Sequence, residues 1–205
     1  MFRTALACLL SLLLAWAAAQ GLTRDFQVWT AEGARRHDSA LRPLPALPVA
    51  IEGPGQPARP LPQVLAVEQA VTLLDFMYTR CISVCAALGS AFQQLQANIA
   101  PDEPLRLLSI SFDPAHDTPA VLARYAEGLK ADPQLWRFAR VADPADQAAL
   151  LAHYQVTVIP DGRGGFEHNA ALLVLDASGR LRRVFDYTEL DGALAYARHL
   201  SRAAP

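Results

Sequence analysis

From about residue 64 onward, short apolar β-favouring runs alternate with stretches whose apolar residues recur at helical spacing. VTLLDFMY (71–78) reads as a buried strand. In AALGSAFQQLQANI (86–99), Leu88, Phe92, Leu95 and Ile99 share one helical face. LRLLSISF, ending at Phe112, is a second strand, and Asp117-Thr118-Pro119 opens a second helix with a capping side chain ahead of proline. WRFARV (136–141) reads as a short strand, and Asp143-Pro144 repeats the helix-start signal. ALLVLD and LRRVFDY are joined by Ala177-Ser178-Gly179-Arg180 as a hairpin, and residues 190–202 form a closing amphipathic helix. Strand–helix alternation requires parallel pairing with right-handed crossovers, and the hairpin adds antiparallel strands. The expected fold class is α/β: a mixed central sheet flanked by helices.

The N-terminal third is different. Arg3 precedes an apolar run, TALACLLSLLLAWAAA (4–19), which ends in an A-x-A pattern at Ala17 and Ala19. Residues 1–19 read as a signal peptide or signal anchor. Residues 20–63 read as a proline-rich arm, because 43–62 hold seven of the fifteen prolines and exclude a regular helix or central strand. The arm is expected to lie on the domain or to space it from a membrane; the domain itself is expected over 64–205. A formal charge of −2 gives no basic face for nucleic acid. The chain is expected to be exported, either periplasmic or anchored to the outer face of the inner membrane.

Discarding Cys8 with the leader leaves two cysteines, in Tyr78-Thr79-Arg80-Cys81-Ile82-Ser83-Val84-Cys85, at a strand–helix junction. Residues four apart lie on one side of a helical turn, about 6 Å apart. That separation suits either a disulfide or two thiolates on one ion. The helix N-terminus and the Arg80 guanidinium both favour thiolate. Two thiolates are soft ligands for Cu(I), Zn(II) or iron–sulfur chemistry, and with one imidazole they satisfy trigonal Cu(I). The element order is the thioredoxin-like arrangement, in which the loop before the closing hairpin faces the cysteine turn. Of five histidines, His168, at the end of DGRGGFEHN, is therefore the leading partner and His116, in FDPAHDTP, the runner-up. Spacing alone leaves both open.

YTRCISVC after a strand, SFDPAHDTP after the next, and a histidine just before ALLVLDASGRL together resemble the Sco/SenC family over roughly residues 64–200. The resemblance implies a thioredoxin-like copper-binding protein that helps assemble the dinuclear copper centre of cytochrome oxidase. It implies Cys81, Cys85 and His168 as ligands for Cu(I) or Cu(II), with Asp113, and Arg80 beside the cysteines, in supporting positions. Expected partners are a copper-centre subunit of the oxidase and a copper donor, with a membrane tether through the N-terminus. The chain departs from the family at Ile82 and Ala86, where proline is frequent, and at Glu167 and Asn169 around the histidine. A metallochaperone is expected rather than a turnover enzyme. The alternative is a thiol–disulfide oxidoreductase using Cys81 and Cys85, although C-x-x-x-C is one residue longer than the usual redox spacing. A peroxidase-like reading rests only on Thr79 two residues before Cys81.

Overall fold

The structure is a computed structural model that describes residues 2–81 and 84–203, without the side chains of 84–87. Eight strands form the sheet that frames the site. β4 (Val71–Met77) lies at its centre, parallel to β5 (Leu105–Ser111), which is parallel to β6 (Trp136–Val141). On the other side β4 pairs antiparallel with β9 (Ala171–Leu175), and β9 with β10 (Arg180–Asp186). β2 (Ala50–Gly53) and β3 (Gln56–Pro60) extend the β6 edge, and β1 (Leu44–Pro45) closes the β10 edge. The order is β1-β10-β9-β4-β5-β6-β2-β3, the mixed sheet of a thioredoxin-like fold.

All seven residues of β4 are buried, as its continuous apolar run requires of a strand covered on both faces. Its side chains alternate between two cores. Val71, Leu73 and Met77 pack with Leu88, Phe92 and Leu95 of α4 (Val84–Asn98) and Ala193, Leu194 and Ala197 of α7 (Leu190–Ala203). Leu74, Phe76 and Tyr78 pack on the opposite face with Leu61 and Leu65 of α3 (Leu61–Glu68) and Leu150 of α6 (Pro144–His153). α5 (Pro119–Gly128) buries Leu122 against the first of these cores. Its N-cap is Thr118, whose hydroxyl accepts from the Val121 N–H, while Asp143 caps α6.

The proline-rich stretch is partly regular. Its prolines fall where the ladder tolerates them: Pro45 in the edge strand β1, and Pro57 and Pro60 in the edge strand β3. β2 bulges between Ile51 and Gly53, and at Gly53 an added Cβ would come within 2.1 Å of the Phe138 carbonyl oxygen. The backbones therefore approach more closely there than any side chain permits. α2 (Ala31–Leu41), capped by Thr30, packs on β10; its weak apolar period concealed it in the sequence. α1 (Phe2–Leu22) buries no residue and is long and apolar enough to cross a membrane, a test that a signal sequence also passes.

The segment read as a glycine loop before β9 is instead a small separate hairpin, β7 (Val158–Pro160) with β8 (Phe166–His168). Gly162 and Gly164 take the left-handed conformation its turn needs.

Candidate metal site at the end of the central strand

β4 ends at Met77, and the chain turns through Tyr78, Thr79 and Arg80 into Cys81. Buried Tyr78 accepts the Cys81 N–H on its carbonyl at 3.4 Å. Asp117, wholly buried, fixes the turn from the loop after β5. One of its oxygens accepts the Thr79 hydroxyl at 2.5 Å; the other accepts the Thr79 N–H at 3.0 Å and the Ser111 hydroxyl at 2.5 Å. Three donors converging on one buried carboxyl group tie the turn to that loop.

The sequence shows the Asp-Thr-Pro helix start but not this division of labour. Thr118 caps α5 and frees Asp117 to hold the cysteine turn. Asp113 and Arg80, expected near the site, are brought together: Arg80 Nη2 donates to Asp113 Oδ2 at 2.7 Å. Asp113 is buried while Arg80 stays partly exposed, and the hydrogen bond to Asp113 raises the guanidinium pKa further. The charge next to Cys81 is thus tied to a carboxylate.

Cys81 is half-buried and packs against the core cluster that also meets Phe166. Cys85 lies in the first turn of α4, and its side chain falls outside the described residues. His168 ends β8, and its ring meets Phe112 with centroids 5.0 Å apart. Burial pushes its imidazole down to about 4, so at neutral pH the ring is uncharged, the form that ligates metals. Phe112 in turn lies 5.2 Å from the Tyr78 ring, and Phe166 stands edge-on to both at 5.3 and 5.8 Å. These aromatic residues join the cysteine turn, the end of β5 and the histidine hairpin into one packed unit.

Of the other histidines, His116 is exposed in the loop whose Asp113 and Asp117 bond Arg80 and Thr79, His199 is exposed on α7, and His153 bonds the Pro45 carbonyl oxygen through Nε2. Among the described residues no three His, Cys, Asp or Glu side chains form a metal-holding group. The expected third ligand, Cys85, is outside that set.

A family profile described as SCO1/SenC matches residues 66–203. The chain is 23% identical over 122 residues to a SCO1 protein homolog of Bacillus subtilis; the match covers 58% of this chain and 63% of that protein's length. BsSco, described as a member of the Sco family of cytochrome c oxidase assembly proteins with a disulfide switch, superposes with TM-score 0.68 at 18% identity over 79% of this chain and 96% of its own. Bradyrhizobium japonicum ScoI, solved with copper bound, superposes with TM-score 0.62 at 24% identity over 76% of this chain and 99% of its own.

Proposed function

The chain belongs to the SCO1/SenC family, and on that premise we propose that it binds copper as cargo through Cys81, Cys85 and His168 and handles it in assembling the copper centre of cytochrome c oxidase. The carrying observation is local. An uncharged imidazole is packed, through Phe112 and Tyr78, onto the same turn that presents Cys81. Two thiolates and one imidazole are a soft set that suits Cu(I). Cys85 belongs to the first turn of α4. A relative solved with copper bound, and another from a family of oxidase assembly proteins, support the cargo and the client.

Arg80 and Asp113 brace the rim, the guanidinium donating to its carboxylate. α1 fits an export signal or an anchor, which would leave the domain periplasmic or tethered to the outer face of the inner membrane. Thiol–disulfide exchange by the same cysteines draws less support, because the spacing is a residue longer than C-x-x-C and copper-bound relatives point to metal.

The test is direct titration. Reduced full-length protein should take up one Cu(I) per chain, the double substitution Cys81→Ser and Cys85→Ser should abolish uptake, and His168→Ala should weaken it by roughly tenfold or more, as loss of one ligand group does. Unchanged uptake in the double cysteine variant would end the reading.

A further inference from the structure

Among the described residues, the β7–β8 hairpin that carries His168 hydrogen-bonds as a strand only to itself, and neither strand joins the eight-stranded sheet. Its turn is stabilised internally: Asp161 Oδ1 accepts the Arg163 N–H at 2.7 Å and the Gly165 N–H at 2.9 Å, and the Asp161 N–H donates to the Gly165 carbonyl oxygen. Where the hairpin meets the domain, one side chain takes both polar groups of one of its residues. The Phe166 N–H donates to Tyr78 Oη at 3.0 Å, and the Tyr78 hydroxyl donates to the Phe166 carbonyl oxygen at 3.2 Å. The phenol substitutes for a neighbouring strand, satisfying donor and acceptor together. The approach is close: a Cβ on Gly165 would come within 3.0 Å of Tyr78 Oη and 2.7 Å of Asp161 Oδ2, so a side chain at 165 would push both groups aside.

Tyr78 is also the residue on which the cysteine turn is built, since its carbonyl accepts the Cys81 N–H. Its side chain therefore grips the backbone two residues before His168, while its own backbone holds the turn three residues before Cys81. We propose that Tyr78 is a positioning residue whose phenol latches the histidine hairpin to the root of the cysteine turn, and that this latch sets how long copper stays bound. The inference rests on the copper reading above for its consequence, but the latch itself is a property of the hairpin. Phenylalanine at position 78 would keep the ring packed against Phe112 and Phe166 and lose both hydrogen bonds. Opening the latch would free the hairpin, and with it the imidazole, without disturbing the sheet.

The experiment uses the reduced full-length chain in detergent and the variant Tyr78→Phe. Amide hydrogen exchange should speed up about tenfold at Phe166 and along residues 158–168, and stay unchanged in β4 and β5, as expected for the loss of two net hydrogen bonds in a local opening unit. Release of bound Cu(I) to a chelator should speed up by a similar factor. In a His168→Ala background, Tyr78→Phe should add no further acceleration, because the latch then holds nothing that touches copper. Unchanged hairpin exchange would overturn the latch, and equal acceleration of release in both backgrounds would overturn its route through His168. A parent chain that takes up no copper would defeat the copper reading alone; the exchange result would then still decide for or against the latch.

Discussion

At the scale of single residues, the informative groups are the buried carboxylates. Asp117 accepts three hydrogen bonds from Thr79 and Ser111 with no exposed surface. Replacing it with alanine strands those donors, and we expect a loss of roughly 2–4 kcal/mol in denaturant unfolding together with weaker copper uptake, since those bonds hold the Thr79 turn against the loop after β5. Asp75, in the middle of β4, is another matter. Burial drives its pKa up to about 7, against some help from Ser109, whose hydroxyl also accepts from Trp136. Its Oδ1 has no hydrogen-bond partner among the described residues. The folded pKa lies above the unfolded one, so the group's contribution is full below about pH 4 and is lost as pH rises to about 7. Asp75→Asn should flatten that fall and exceed the parent at pH 8 by on the order of 3 kcal/mol. Unfolding titrations at pH 4, 6 and 8 check it, and parallel curves for parent and variant would refute it.

Among the elements, most strands and helices of residues 71–203 were legible because each carries its own period: β4 is apolar throughout, α4 repeats every three to four residues, and α6 announces its start with Asp143-Pro144. Other elements, the β7–β8 hairpin within that span among them, were not. α2 is short and polar, and gains its order from packing on β10. β2 and β3 sit in a proline-rich stretch, and are strands because the exposed edge of β6 offers β2 unpaired backbone groups. The β7–β8 hairpin was read as a loop since its strands are only three residues long. Gly53 tests the edge. Gly53→Ala must push β2 away from the Phe138 carbonyl, and should lower stability by about 1–3 kcal/mol while leaving copper uptake unchanged, because β2 lies at the opposite side of β5 from Tyr78. A midpoint equal to the parent's would show that the edge yields freely.

For the whole molecule, the sheet and its two cores form the stable unit, and α1 is appended to it with no buried residue. A chain beginning at Gln20 should therefore melt within a few degrees of the full-length protein, whereas deletion through residue 60 should cost much more, because it strips β1, β2 and β3 from both edges. Differential scanning calorimetry of the two truncations distinguishes them, and a large fall for the first would mean that α1 packs on the domain. By itself the amino-acid order determined the α/β alternation, the apolar leader, the pair of cysteines at a strand–helix junction and the family they resemble, because each is written in residues that are neighbours along the chain. Tertiary structure decided that Asp117 holds the turn, that Arg80 is bound by Asp113, and that the Tyr78 phenol reaches Phe166 across 88 positions of sequence. Those contacts join different loops at one end of the sheet, and a separation that long carries no local periodicity from which to read them.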